Sequence, residues 1–207
     1  MVTSNKDLMT QAREALSGRW GLAVGTFFVF LLIMGVLGNQ QVIWGNNGLT
    51  FVLSSNLLIL LITGALTFGA ATFALAISRK GEAKFEMIFS GFAYYGKTLA
   101  LALLMTLFIL LWMLLLIIPG IIASISYSMA FFLMADDPNI GAMEAIDKSK
   151  KMMYGYKWKY FCLGLRFLGW FLLGIITAGI GFLWILPYIY VSQAKFYEEV
   201  KANFVEA

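Results

Sequence analysis

The chain has 207 residues, of which 61% are hydrophobic and 13% charged, and its mean hydropathy is +0.84. A soluble domain is closer to about 45–50% apolar and 25% charged, so the composition excludes an ordinary soluble domain and predicts an integral membrane protein. The net charge of +4 is small for a nucleic-acid-binding surface. The lack of histidine and the single cysteine, Cys162, exclude an internal disulfide, a Cys/His zinc site and histidine-based catalysis.

The distribution of charge divides the chain into alternating polar and apolar segments. All 15 basic and 11 acidic residues except Arg166 lie in four stretches, residues 1–19, 79–97, 136–159 and 195–207. The apolar blocks between them are each too long for one crossing, because a helix rises about 1.5 Å per residue and the hydrocarbon core is about 30 Å thick. Each block is therefore predicted to contain two spans.

A break lies near the middle of each apolar block. The first break is GNQQVIWGNNG (38–48), the second is Pro119-Gly120, and the third is TAGIG (177–181). Glycine and proline inside an apolar run are typical of a helical hairpin turn. In chain order, the predicted spans are residues 20–38, 50–78, 98–118, 119–135, 160–177 and 180–196.

The basic residues predict the orientation of these spans. The three hairpin tips contain no lysine or arginine, whereas the four charged stretches contain all of them except Arg166. Because basic loops stay in the cytoplasm, both termini and all four stretches are predicted to be cytoplasmic. The predicted fold is an all-α integral membrane protein with six transmembrane helices in three hairpins and amphipathic cytoplasmic helices.

Each predicted hairpin follows a short amphipathic segment. The three segments are DLMTQAREALSGRWGLAVG (7–25), KFEMIFSGFAYYGKTLALA (84–102) and NIGAMEAIDKSKKMMYGYKWKYF (139–161). A charged helix, a glycine with aromatic residues and a hairpin recur in that order. Residues 1–207 are therefore predicted to form a single membrane domain with a threefold pseudo-repeat, residues 1–78, 79–135 and 136–207.

The third amphipathic segment has the strongest helix signals. Asp137-Pro138 is predicted to supply the N-cap and the first helical residue. Ile140, Met143 and Ile146 form an apolar stripe. Such a helix is expected to lie along the inner leaflet with the stripe in the headgroup region.

The most basic stretch, KSKKMMYGYKWKYF (148–161), joins that helix to the fifth span. Interleaved lysines and aromatic rings suit either a nucleic-acid strand or a membrane interface. The adjoining span and the low net charge favour the membrane, with lysines facing anionic lipid and no nucleic-acid partner. The predicted interface residues are Lys148, Lys151, Tyr154, Tyr156, Lys157, Trp158 and Lys159.

Long motifs in every part of the chain fit one known pattern. They are REALSGRWGLAVG (13–25), FSGFAYYGK (89–97), LLIIPGIIASISYSMAFFLMADDP (115–138), EAIDKSKKMM (144–153) and GIGFLWILPYIYVSQAKFYEE (179–199). Together they resemble a family of bacterial integral membrane proteins described as domain of unknown function 975. The resemblance covers nearly the whole chain. It implies a multi-helix protein of the bacterial cytoplasmic (inner) membrane.

The architecture is also distantly similar to the membrane domain of some glycerophosphodiester phosphodiesterases. The catalytic residues of those enzymes are absent here, so the resemblance does not imply their activity. The family itself has no assigned activity, and the resemblance therefore transfers no functional residues.

Few polar residues lie inside the predicted spans. Arg166 is the one charged residue in the apolar blocks between the four charged stretches. It is expected to contact a substrate or lipid phosphate, to pair with Asp136 or Asp137, or to extend to the inner headgroups. Helix capping is the alternative role for Asp136. Ser124, Tyr127 and Ser128 share one face of the fourth span, where they either line a polar path or bond within their own helix.

Three classes of function are weighed. The favoured one is a non-enzymatic accessory or envelope-homeostasis protein, which acts through lipid and membrane-protein contacts at the cytoplasmic face. The alternative is a transporter or channel for a small solute, ion or lipid, although the sequence offers no acidic residue at mid-membrane. An intramembrane enzyme is disfavoured, and no catalytic residue, metal or cofactor is predicted.

Overall fold

The computed structural model describes residues 3–38 and 48–204, with side chains described for residues 3–35 and 59–204. These residues form nine α-helices and one 3₁₀ segment, with no β-strand among them. In chain order the elements are α1 (Asn5–Leu16), α2 (Trp20–Gly38), α3 (Gly48–Ser78), the 3₁₀ segment (Phe85–Phe92), α4 (Tyr95–Leu115), α5 (Ile117–Tyr127), α6 (Ala130–Asp136), α7 (Ala142–Met152), α8 (Lys157–Ile176) and α9 (Phe182–Asn203). The predicted hairpin turn at 38–48 falls largely outside the described residues.

The predicted all-helical fold is confirmed. Within the described residues, four segments are long and apolar enough to cross a membrane, namely Ile59–Ser78, Tyr95–Leu115, Ile117–Asp136 and Lys157–Ile176. The α1–α2 pair, bent by 99°, brings the number to five if it counts as one broken span. The chain is thus helical with several apolar helices able to cross a bilayer, and the full six-span topology stays a prediction.

Helix α3 lies at the centre of the bundle, where it contacts α2, α4, α6, α9 and the 3₁₀ segment. Small side chains lie on its packing faces, since Ala65, Ala70, Ala71 and Ala74 are all buried. A Cβ atom on Gly69 would lie 1.9 Å from the backbone oxygen of Ile88, and one on Gly91 would lie 2.1 Å from that of Ala65. Glycine at both positions therefore lets the two backbones touch.

The break between α4 and α5 comes before the predicted break at Pro119-Gly120. Leu116 has extended dihedrals (φ −163°, ψ 144°) and separates α4 from α5. Pro119 lies in the first turn of α5, where a missing backbone N–H loses no hydrogen bond, so proline continues the helix there. Gly120 packs against α4, since a Cβ atom would lie 2.3 Å from Cγ of Met113. The predicted turn position is wrong, because Pro119 and Gly120 both lie within α5 and the chain turns at Leu116.

The fourth predicted span is broken into α5 and α6 at Ser128 and Met129. The buried hydroxyl of Ser149, on α7, donates to the backbone oxygen of Ser126 at 2.8 Å. The same hydroxyl accepts from the backbone N–H of Met129 at 3.2 Å. A side chain from a neighbouring helix thus bonds the backbone groups that the break leaves without helical partners.

Helix α7 packs into the bundle instead of lying on lipid. Ile140 and Ile146, two residues of the predicted headgroup stripe, are 6% and 2% exposed and pack with Ala130 and Met134 of α6. Met143 alone of the three is half exposed. The predicted placement of this stripe in the headgroup region is wrong, because α4, α5 and α6 cover it.

The start of α7 also differs from the prediction. Its N-cap is Gly141, whose backbone N–H donates to Glu144 Oε2 at 3.5 Å. Asp137 instead accepts from the backbone N–H of Asn139 at 3.0 Å, within the turn before the helix. The predicted Asp137-Pro138 cap is therefore wrong, because the aspartate stabilises a local turn that the sequence pattern does not separate from a cap.

Candidate functional site

Charged residues from three helix ends meet around Asp136, at the end of α6. Arg79, which follows α3, donates from Nη2 to Asp136 Oδ1 at 2.6 Å, and from Nε to Glu198 Oε1 at 2.8 Å. Tyr197 of α9 donates its hydroxyl to Asp136 Oδ2 at 3.0 Å, and Lys201 pairs with the same oxygen. This Asp136 cluster ties α3 and α6 to α9 with two cations and two anions.

The electrostatics of the cluster follow from partial burial. Burial by itself lowers the pKa of Arg79, but hydrogen bonds to Asp136 and Glu198 outweigh it, so the pKa lies above its ordinary value and the guanidinium stays charged. Burial and the neighbouring Asp136 raise the pKa of Tyr197, so its hydroxyl keeps the proton that it donates. Asp136 is 14% exposed and paired on both oxygens. The cluster is built as an ion-paired network that joins helices.

A second ion pair joins the N-terminus to α8 and α9. Lys159 pairs with Glu199, whose side chain is 8% exposed, and its ammonium lies 5.6 Å from the ring centre of Phe196. The backbone N–H of Thr3 donates to Glu199 Oε1 at 2.5 Å. The side-chain amide of Asn5 donates to the backbone oxygen of Lys159 at 2.9 Å. Lys159, predicted to face lipid, therefore points into the protein.

Other lysines bind backbone oxygens at helix ends and turns. Lys195 donates to the backbone oxygen of Ser78, the last residue of α3, at 2.5 Å. Lys97 donates to the backbone oxygen of Pro138 at 2.8 Å. These cations stabilise carbonyl groups that have no helical partner.

Part of the predicted membrane-interface stretch is strongly exposed. Tyr154 is 84% exposed, Trp158 is 73% exposed, and Lys151 in the same stretch of the chain is exposed as well. These three residues form the exposed basic–aromatic patch. Tyr156 and Lys157, by contrast, are half-buried. The stretch is thus divided between an outer face and a face that packs on the bundle.

Lys148, also in the predicted interface set, is half-buried. It lines a cleft of about 400 Å³ together with Asp136, Asp137, Tyr197 and Lys201. The lysine therefore faces other charged groups of the protein, beside the Asp136 cluster.

The hydroxyl groups of the fourth predicted span do not line a polar path together. Ser124 donates to the backbone oxygen of Ile121 at 2.8 Å, and Ser128 donates to that of Ile125 at 2.8 Å. Tyr127 is 7% exposed in an apolar cluster. Ser124 and Ser128 thus bond to the backbone of the preceding turn, which is the second of the two alternatives that the sequence left open.

Arg166 lies exposed on α8. Asp136, its predicted partner, pairs with Arg79 and Lys201 instead. Arg166 precedes Trp170 by one helical turn, so the two residues share a face of α8. That interpretation of Arg166 as a partner of Asp136 is wrong, because α3 and α9 supply closer cations.

Trp170 belongs to a groove between α1, α2, α8 and α9, with a volume of about 220 Å³. The groove is lined by Arg13, Trp20, Trp170, Trp184, Ile185 and Tyr188. The rings of Trp170 and Tyr188 meet edge to face, with centres 6.0 Å apart. One arginine and four aromatic side chains thus converge on this arginine–tryptophan groove.

No group of three His, Cys, Asp or Glu side chains within residues 3–38 and 48–204 is arranged to hold a metal ion. Cys162 is half-buried near the start of α8. The candidate functional features of the described residues are thus the Asp136 cluster, the exposed basic–aromatic patch and the arginine–tryptophan groove.

Sequence reasoning missed Ser149 and the partners of Asp136. The signal for the latter was present, since Arg79, Asp136 and Lys201 all lie just beyond predicted spans on the same predicted side. Several cations share that position, however, and their spacing along the chain does not choose among them. Ser149 gave no signal, because its role depends on a break in another helix.

These features define an all-helical protein whose described residues include four or five segments apolar enough to span a bilayer and a charged network at helix ends. The chain belongs to the family described as protein of unknown function (DUF975), whose model matches residues 1–122 and 113–204. No curated protein and no solved structure matches the chain.

Proposed function

We propose that this protein is a non-enzymatic, six-span component of the bacterial cytoplasmic membrane with both termini inside. It acts as an accessory protein in envelope homeostasis, by binding anionic inner-leaflet lipid and a membrane-protein partner at its cytoplasmic face. The exposed basic–aromatic patch, Lys151, Tyr154 and Trp158, carries this proposal.

Contacts between distant parts of the chain support the proposal that the charged stretches lie on the same side of the membrane. The ends of α3 and α6 meet the C-terminal half of α9 around Asp136. The N-terminal Thr3 meets Glu199 of the same half, and Lys97 at the start of α4 meets Pro138. An even number of crossings between these points brings them to one face of a membrane, as three hairpins do.

The exposure of the patch supports a binding role. Tyr154 and Trp158 are among the most exposed large side chains of the described residues. The comparable rings of Phe196 and Tyr197 on α9 are, by contrast, fully buried. Aromatic rings next to lysines are favourable in the headgroup layer, where the ring contacts lipid and the cation contacts phosphate. The patch begins at the end of α7 and continues into α8, beside the ion pair of Lys159 with Glu199.

The bonding of hydroxyl groups supports an accessory role over transport. Ser124 and Ser128 use their hydroxyls on their own helix. Buried apolar residues, among them Phe27, Phe68 and Phe73, fill the described interior around α3. A transport path for an ion or polar solute needs unpaired polar groups in that interior.

The test is complementation of a deletion strain with a patch variant, Lys151→Gln with Tyr154→Ser and Trp158→Ser. A matched control, Lys6→Gln with Met143→Ser, removes one cation and one exposed apolar side chain elsewhere. We expect the deletion to sensitise cells to cationic membrane-active peptides, the control to restore survival, and the patch variant to fail at equal protein level. Full rescue by the patch variant would reject the patch as the functional surface.

The orientation is tested separately by labelling. In a Cys162→Ser background, Tyr154→Cys is expected to react with a membrane-impermeant maleimide in inverted vesicles and not in intact spheroplasts. Labelling of intact spheroplasts would place the patch outside and overturn the proposed topology.

A further inference from the structure

We propose that the arginine–tryptophan groove is a binding site for one anionic phospholipid, with the lipid phosphate on Arg13 and an acyl chain between Trp170 and Trp184. This inference deepens the proposed function by naming a lipid class and a site, and it rests on the membrane location stated there. It does not depend on the exposed basic–aromatic patch.

The charge of the groove favours an anion at one end. Arg13 lies in the last turn of α1 and lines the groove together with Tyr188 of α9. Arg166 lies one turn before Trp170 on the same face of α8 and adds a second exposed cation beside it. Among the described side chains that line the groove there is no carboxylate. A guanidinium binds a phosphate with two parallel hydrogen bonds, so a phosphate is the matching group.

The walls of the groove favour a hydrocarbon chain. Trp170 is 43% exposed and Trp184 is 49% exposed, and both belong to hairpin helices α8 and α9 with apolar surroundings. Trp20, at the bend between α1 and α2, is a further aromatic residue that lines the groove. A groove that is cationic at one end and aromatic along its length matches an amphiphile with an anionic head.

The position of Arg13 in the fold explains how it reaches the groove. Helices α1 and α2 are bent by 99°, so α1 runs across the direction of α2 instead of continuing it. Leu8, Ala12 and Leu16 bury one side of α1 in the core. Arg13 follows the buried Ala12 in the helix and lines the groove with Tyr188 of α9. The packing of α1 on the core therefore holds Arg13 at the groove.

The test is native mass spectrometry of the purified full-length protein with phosphatidylglycerol or phosphatidylcholine of identical acyl chains. We expect wild-type protein to retain one phosphatidylglycerol in preference to phosphatidylcholine. Arg13→Gln is expected to reduce that preference about tenfold, because a charge-assisted bond to phosphate is lost. Lys6→Gln, which removes one cation two turns earlier on α1, is the matched control and is expected to keep the preference.

A second variant separates the two ends of the groove. Trp184→Ala is expected to weaken retention of both lipids while their ratio stays as in wild type, because it removes acyl-chain contact and no charge. Unchanged preference in Arg13→Gln would overturn the proposal, as would retention of several lipids with no preference. A lipid-free dimer that Trp184→Ala dissociates would assign the groove to a second copy and also overturn it.

The outcome is independent of the complementation test. Loss of lipid preference in Arg13→Gln with full cellular rescue by the patch variant would support the groove and reject the patch. Failure of the patch variant to rescue cells, together with unchanged lipid preference in Arg13→Gln, would support the patch and reject the groove.

Discussion

Helices α3 and α4 are both apolar enough to cross a membrane, yet they occupy opposite environments. The stretch Ile59–Ser78 of α3 has a mean hydropathy of 2.0 and 56% of its most apolar window is buried. For α4, Tyr95–Leu115, the hydropathy is 2.6 and 17% of the window is buried. The more hydrophobic helix is therefore the less buried one.

Side-chain size explains the difference. Helix α3 contains glycine and alanine on its packing faces, and these let other backbones approach closely. Helix α4 ends in a run of leucines with tryptophan and methionine, most of them exposed on the bundle surface. Within a bilayer, lipid is as apolar as leucine, so hydrophobicity does not decide which helix is central. Close packing does.

The largest expected effect comes from filling the close contact of α3. Gly69→Val places atoms where the backbone of Ile88 lies, since even a Cβ would be 1.9 Å from its oxygen. We expect loss of the monodisperse folded protein in detergent, a cost of more than about 3 kcal/mol. Fluorescence-detected size-exclusion chromatography measures it.

The control for that change lies in α4. Gly96→Ala is expected to fold normally, because nothing lies within 4 Å of the added atom. A monodisperse, stable Gly69→Val protein would show that α3 and the 3₁₀ segment are not in contact as described.

The next effect compares leucines of the two helices. Leu66 of α3 is fully buried, whereas Leu114 of α4 is 85% exposed. Leu66→Ala is expected to cost about 2–5 kcal/mol, because it leaves a cavity in the core. Leu114→Ala is expected to leave the thermal unfolding temperature in detergent unchanged. Equal shifts for the two variants would contradict the assignment of α3 as the central helix.

A smaller effect is expected at the end of α3, where the Asp136 cluster holds the helix. Asp136→Asn leaves Arg79 and Lys201 facing a neutral group, at a cost of about 1.5–3 kcal/mol. Glu82→Gln, which removes the exposed pair with Lys84, is the control and is expected to have no measurable effect. Thermal unfolding of both variants at low and at high salt is the measurement, and comparable shifts would show that the cluster adds no stability.

The smallest effect concerns the break between α5 and α6. Ser149→Ala leaves the backbone N–H of Met129 without its partner, and we expect a loss of about 1–2 kcal/mol. Ser124→Ala, which removes a hydroxyl bonded within its own helix, is the matched control with little expected change. Hydrogen exchange at Met129 gives a local readout, and unchanged protection there in Ser149→Ala would contradict the bridging role.

Periodicity and charge placement predicted the helical elements well, because each depends on neighbours in the chain. The predicted spans overlap α2, α3, α4, α8 and α9 closely. The errors arose where contacts with residues far away in the chain decided how a helix is placed or where it ends. The helix that was expected to rest on lipid is buried, since its apolar stripe fits a surface made by α4, α5 and α6.

The candidate site was predicted less completely. The exposed basic–aromatic patch was part of a predicted interface, but Lys159 of the same stretch pairs with Glu199 inside the protein. The arginine–tryptophan groove was not predicted, because Arg13 and Trp184 are separated by most of the chain and meet only through the packing of α1 on α9. Sequence patterns report which residues favour an interface, and they do not report which of them other helices will cover.

The sequence by itself determined that the chain is helical, apolar and charged in separated stretches, because backbone hydrogen bonding and hydropathy act within a few residues of each position. Only the tertiary structure decided that α3 is central, that Asp136 joins three helices and that Arg13 faces three tryptophans. Those outcomes depend on how closely helices approach and on which of several similar cations lies nearest. Both are properties of packing between segments far apart in the chain.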